Sequence, residues 1–152
     1  MSVAFRRESD EEHLEPKFDR PIPPGPNLVT PHGMTLIEAR VTALEAQVGA
    51  MAAGEALDEA KRDLRYWRQR LATAQIAASP PPGEVGFGSR VSFRLNGRDK
   101  TIHIVGDDEA RPAAGLLALS SPLAQALIGA GVGEWLPFGG KEDAIEVVGI
   151  DG

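Results

Sequence analysis

Two apolar seams of identical spacing, set one after the other, constrain this chain more than any other feature. Met34, Ile37, Val41, Leu44, Val48 and Met51 recur at alternating steps of three and four, and Leu57, Ala60, Leu64, Trp67, Leu71 and Ala74 repeat the pattern. Such steps keep one stripe of a helix facing one way, and neither stripe can be buried without the other. A short link containing Gly54 joins them, so the pattern predicts an antiparallel helical hairpin, a two-stranded coiled coil with knobs packed into holes. Thr30 is suited to cap the first helix and Pro31 to open it. At ~1.5 Å per residue, arms of about 18 to 20 residues project roughly 27–30 Å. That is a stalk, not a bundle.

The seams divide the chain into zones. Residues 1–29 are charged and then Pro-rich ("RPIPPGPN"), with too few clustered apolar residues to offset the entropy of ordering them. They are expected to form an extended or disordered lead-in, with Phe5 and Phe18 able to dock locally. The arm is assigned to residues 30–78. "SPPPGE", residues 79–84, is a linker that no helix crosses intact. From residue 85 to 152 the apolar period becomes two: Val91, Phe93 and Leu95 alternate, Asn96-Gly97 signals a tight hairpin, and Ile102 and Ile104 alternate after it. "GLLALS" is a third strand. "SPLAQALIG" is a short helix, capped by Ser121, opened by Pro122, closed by Gly129, and giving Leu123, Leu127 and Ile128 to the core. "GEWLPF", a Gly139-Gly140 turn and "AIEVVGI" complete an antiparallel sheet. The fold class is α+β.

Bulk properties exclude several functions. A net charge of −6 argues against duplex DNA as the primary partner, since phosphate binding draws on excess Lys and Arg. The absence of cysteine removes disulfides and thiolate metal sites and fits a reducing compartment. The N-terminus lacks an apolar signal region, and nothing approaches the roughly 18 apolar residues of a membrane span. A cytoplasmic location is expected. His13, His32 and His103 lack metal-ligand spacing, and no Ser-His-Asp set, Walker glycines or paired catalytic carboxylates can be argued. No catalytic centre is read from the residues alone.

Particular strings add a resemblance. "NLVTPHGMTLIEARVTALEAQ", "RLATAQI" and "FGSRVSF…IHIVGDDEA…GLLALSSPLAQALIGAGVGE" are similar to the bacterial Gre transcription factors, "VGDDEA" and "SPLAQALIG" being the most distinctive. The similarity spans roughly residues 27 to 150, and the lead-in resembles a subgroup of short Gre-like proteins. It implies an FKBP-like fold for the last zone, a monomer, and RNA polymerase as partner. In that family the globular domain grips the rim of the secondary channel and the arm enters it, where acidic tip residues help hold a second Mg²⁺. The resemblance thus implies a chain that is no enzyme itself and has no cofactor of its own, only a Mg²⁺ shared with the polymerase. Oxygen ligands suit that ion, and two metals together stabilise attacking and leaving oxygens.

Each candidate site residue has two readings. Glu55, Asp58 and Glu59 at the bend are tip acids able to assist Mg²⁺, or helix-start acids favoured by the dipole. The family's tip reads Gly-Asp-Leu-Ser-Glu-Asn against "GEALDE" here, an exchange of Asp and Glu at i, i+3. Arm length weighs against catalysis: each arm is about two to three turns shorter than a full Gre arm, withdrawing the tip by on the order of 11–16 Å. A Mg²⁺–oxygen bond of about 2.1 Å does not absorb that. The similarity is accordingly to the short-armed Rnk-like branch. Lys61, Arg65 and Arg68 share one helical face, to meet channel acids or, indirectly, RNA phosphate, or to form a solvated face balanced by Glu59 and Asp63. Trp67 is assigned to the core and Tyr66, off the seam, to the surface. Ser120, Ser121, Pro122 and Leu123 match the family's rim-binding segment, and Ser-Pro also starts a helix. "VGDDEA" is a turn with too few ligands for Ca²⁺. The FKBP-like resemblance raises prolyl isomerisation, but Phe87, Phe93, Trp135 and Phe138 are the only aromatics available to line a pocket.

Overall fold

A computed structural model describes residues 19–151; the expectations for residues 1–18, Phe5 and Phe18 included, lie outside the described residues. The chain divides into two compact units. One holds residues 19–25 with Ile37–Thr73, and the other holds Pro26–Leu36 with residues 74–151.

The first unit is the helical hairpin. Helix α1 spans Pro31–Ala50, its first six residues belonging to the other unit, and α2 spans Glu55–Thr73. Gly54, at φ 151°, turns the chain between them, and its carbonyl accepts from Asp58 N at 3.1 Å to begin α2. The seams are real: Ile37, Val41, Ala60, Leu64 and Trp67 are buried, while Leu44, Val48, Met51 and Leu57 toward the bend are half-buried. Two positions depart from expectation. Ala74 leaves the seam, because α2 stops at Thr73 and Ala74–Ile76 is a strand. Tyr66 is not at the surface: it is only 7% exposed. The Arg20 guanidinium lies 4.0 Å over its ring centroid, and Trp67 packs against it edge-on with centroids 5.2 Å apart. A neighbour from outside both seams buries what periodicity left exposed.

The second unit contains two sheets. β1 (Asn27–Val29), at the end of the segment read as lead-in, pairs in parallel with β2 (Ala74–Ile76). This pairing gives the backbone of Ala74–Ile76 partners that compete with another helical turn, and the prolines from Pro80 onward bar a longer helix. β3 (Arg90–Leu95), β4 (Arg98–Val105), β5 (Leu116–Ala118), β6 (Trp135–Phe138) and β7 (Lys141–Asp151) form a sheet in the order β5-β4-β3-β7-β6. Antiparallel pairing holds for β3–β4, β3–β7 and β6–β7, but β5 runs parallel to β4, so the sheet is mixed. A 3-10 turn at Pro112–Ala114, ending on left-handed Gly115, returns the chain to the same edge in the same direction. Both tight hairpins are as predicted: Asn96 and Gly97 have φ 50° and 84°, and Gly139 and Gly140 have φ 64° and 83°, the left-handed pair that a two-residue hairpin turn needs.

Val91, Phe93, Ile102, Ile104, Ile145 and Val147 fill the inner face of the sheet. Helix α3 (Pro122–Leu127) closes it with Ala124 and Leu127, both at 0% exposure. Leu123 packs partly against this core, whereas Ile128, also expected inside, is 39% exposed. The helix ends at Leu127, and Ile128 is its C-cap with extended backbone, ψ 131°, which turns the side chain away.

Candidate partner-binding surfaces

The bend carries its acids in the open. Glu55 and Asp58 lie in the first turn of α2, Glu59 follows, and all three are exposed. Among the described residues no three His, Cys, Asp or Glu side chains converge as a metal site would require. A carboxylate here gains a favourable interaction with the helix N-terminus and remains available as a single ligand to an ion held elsewhere.

The basic face of the arm borders a groove of about 380 Å³ between α1 and α2, whose apolar floor includes Val48 and Leu64. Lys61, Arg65 and Arg68 line it together with Glu45. The cations are not balanced by Glu59 and Asp63 as the sequence suggested. Asp19 Oδ1 accepts from Arg65 Nη2 at 2.7 Å and Nε at 3.1 Å, and Glu45 accepts from Arg68 Nη2 at 2.9 Å. Asp63 instead meets Arg20 at 3.5 Å. Lys61 has no partner among the described residues.

On the C-terminal unit, Ser121 Oγ accepts from Ala124 N at 3.3 Å, so Ser121 caps α3 as expected. Ser120 Oγ donates a long bond of 3.4 Å to Asp107 Oδ1, bringing the "VGDDEA" turn beside the start of the helix. Gln125 Nε2 donates to Leu119 O at 2.7 Å and pins the loop from below. Pro122 is exposed at the first helical position and Leu123 is half-buried. A rigid apolar ring in that place loses little entropy when a partner covers it.

One constellation escaped sequence reasoning. Thr30 Oγ1 donates to Glu109 Oε1 at 2.5 Å, and both residues are 7% exposed. The same hydroxyl accepts from Gly33 N at 2.9 Å, capping α1. A Cβ on Gly33 would lie 2.8 Å from Glu109 Oε1, and one on Gly106 would lie 2.4 Å from the Leu28 carbonyl oxygen. "TPHG" and "VGDDEA", 72 or more residues apart as strings, thus form one buried lock in which both glycines permit the approach. Glu109 points inward and is not a solvated turn acid. The available signal was the presence of a helix cap and a Gly-initiated acidic turn, each with a glycine that neither local element explains.

Of the four aromatics considered for a prolyl pocket, Phe87 and Phe138 pack against the core that includes Phe93. Phe93 is 1% exposed in the core, and Trp135 is 55% exposed on the outer face beside Glu146. Of the four, only Phe87 lines the pocket of about 260 Å³ that also touches Pro31, Ala77 and His103. Among the described residues no helix is long and apolar enough to cross a membrane.

Comparison with known proteins identifies relatives of the chain. Residues 80–150 match the family model described as transcription elongation factor, GreA/GreB, C-terminal. Over 110 residues the chain is 32% identical to the transcription elongation factor GreA of Thermomicrobium roseum, covering 66% of this chain and 70% of that one. It is 37% identical over 93 residues to GreA of Vibrio parahaemolyticus, of which it spans 59%, and 40% identical over 76 residues to GreB of Pasteurella multocida, of which it spans 48%. Among solved structures, the GreA factor homolog Gfh1 of Thermus thermophilus covers 84% of this chain and is itself covered fully, at a TM-score of 0.39 and 18% identity.

Proposed function

The chain belongs to the GreA/GreB family of transcription elongation factors, and from that membership we propose that it binds RNA polymerase and regulates elongation without efficiently stimulating transcript cleavage. In this reading the C-terminal unit holds the rim of the secondary channel through Ser120, Ser121, Pro122 and Leu123. The short hairpin enters the channel, with Lys61, Arg65 and Arg68 toward its acids. The chain acts as a monomer and lends surfaces to the polymerase while holding no active site of its own.

The observation that carries this reading is arm length. α1 holds 20 residues and α2 holds 19, about 30 Å and 28 Å at 1.5 Å per residue. The resemblance gives a cleavage-stimulating arm two to three further turns, so the carboxylates of Glu55, Asp58 and Glu59 stop on the order of 11–16 Å short of the metal. Mg²⁺ needs oxygens at about 2.1 Å, and exchanging Asp for Glu changes reach by one methylene.

Transcript cleavage in backtracked complexes tests the proposal. The expected result is specific binding with cleavage close to the factor-free rate. Vigorous cleavage, abolished in Glu55→Ala/Asp58→Ala, would overturn it in favour of a factor whose tip carboxylates help bind the second Mg²⁺.

A further inference from the structure

One cation bordering the groove on the arm is already engaged by the chain itself. Asp19 reaches Arg65 with two contacts of 2.7 and 3.1 Å, and the next residue, Arg20, reaches Asp63 at 3.5 Å and lies 4.0 Å over the Tyr66 ring. Two adjacent residues of opposite sign therefore face two helix residues of opposite sign. Their order fixes the register: a shift by one residue would set like charges together.

The two halves of this contact differ in strength. Arg20, its side chain 44% exposed, has two contacts, adding to the Asp63 pair a cation–π contact on a ring that is only 7% exposed. The Asp19–Arg65 pair is open, with side chains 65% and 55% exposed, and an open pair is weak and displaceable. Anchored by its neighbour, Asp19 stays at high effective concentration beside Arg65. With Glu45 on Arg68, it leaves Lys61 as the cation of this face without a partner among the described residues.

We infer that Asp19 is a built-in competitor for the anionic partner of the arm: it occupies Arg65 until a carboxylate-rich surface displaces it. The inference rests on the proposed polymerase-binding reading for the identity of that surface alone. It makes residues 19 and 20 a clasp that tunes affinity, with Arg20 as the hinge and Asp19 as the exchangeable contact.

Two measurements on the full chain test this separately. The first is the rate of phenylglyoxal modification at Arg65, read by peptide mass spectrometry with Arg62 as internal reference. In Asp19→Asn at low salt it is expected to rise about two- to five-fold, the range of an exposed ion pair. The difference should vanish near 1 M salt, where the screening length falls to about 3 Å. The second is binding to core RNA polymerase, expected to tighten by a similar factor in Asp19→Asn and to show no such gain when Arg65→Ala is also present. Unchanged Arg65 reactivity overturns the clasp. Faster reactivity with unchanged affinity for a polymerase that the wild type binds overturns the competition. If neither wild type nor Asp19→Asn binds polymerase, the proposed function and the competition fail together, while the reactivity result still reports the clasp.

Discussion

Replacing Thr30 with Val should cost the C-terminal unit much more than a single hydroxyl suggests. The Thr30 hydroxyl has two duties, accepting from Gly33 N at 2.9 Å and donating to Glu109 Oε1 at 2.5 Å. Loss of an N-cap costs about 1 kcal/mol. Removing the donor leaves a carboxylate that is 7% exposed without this partner, at about 1.5–3 kcal/mol for a hydrogen bond to a charged group. Together the loss is about 2.5–4 kcal/mol, a large share of the 5–15 kcal/mol typical of a domain. Val matches Thr in shape, so packing changes little. Thr30→Ser retains the hydroxyl and should lose less than about 1 kcal/mol. Urea denaturation of both variants, followed by a double-mutant cycle with Glu109→Gln, measures the coupling directly, and contacting groups in one network couple by about 0.5–3 kcal/mol. A Thr30→Val loss under about 0.5 kcal/mol, or a coupling indistinguishable from zero, would refute the account of "TPHG" and "VGDDEA" as one lock.

Three further outcomes concern the C-terminal unit. Gly106→Ala should destabilise more than Gly33→Ala: its Cβ meets the Leu28 backbone oxygen at 2.4 Å, whereas that of Gly33 meets the end of a side chain at 2.8 Å. Costs of overpacking are about 1–3 kcal/mol, and thermal melts of the two variants rank them. Leu127→Ala should lose about 2–5 kcal/mol as a fully buried truncation, and Ile128→Ala, one residue on but 39% exposed, should lose less than about 0.5 kcal/mol in the same melts. Pro122→Arg should leave stability nearly unchanged and weaken competition with a full-length Gre factor for RNA polymerase; unchanged competition rejects the assignment of this segment to the rim.

What the sequence disclosed followed from period and turn chemistry. Alternation placed Val91, Phe93, Ile102 and Ile104 inside, and Asn96-Gly97 and Gly139-Gly140 fixed two hairpins, because each signal is local and has one economical solution. The misjudged positions share a cause. Tyr66 is buried by Arg20, 46 residues earlier, and Ala74 becomes strand because Asn27 pairs with it. Both depend on a segment whose composition suggested no fixed partner. The parallel β4–β5 pairing was hidden for a related reason: strand direction depends on how the connection through Pro112–Ala114 returns, and alternation carries no information about direction. At the candidate site, the Ser121 cap was legible as a local motif. The partners of Arg65 and Arg68 were not, since a helical face lists which charges are neighbours within the helix and says nothing of what arrives from outside it.

This contrast bears on which of the resembling strings speak for function. A string shared with a family can reflect a fold or a partner, and the lock supplies a complete folding reason for two of them. Thr30 and Glu109 are buried against each other, Gly33 and Gly106 are tightly approached, and none of the four has surface to offer. Their match to the Gre pattern argues for shared architecture and adds nothing about polymerase. In "SPLAQALIG", Ser121 has a cap to make, and Ala124 and Leu127 have a core to fill. Pro122 differs. Another residue at the first helical position could also follow a Ser cap, and the ring is exposed, so folding accounts for less of its presence. A binding role is therefore most economically sought at Pro122 and beside it at Ser120, whose hydroxyl holds the Asp107 carboxylate on the same surface. If Pro122→Arg and Ser120→Ala both leave polymerase affinity intact while Thr30→Val shows its expected loss of stability, the resemblance in this half of the chain is architectural throughout, and the contact is to be sought on the arm.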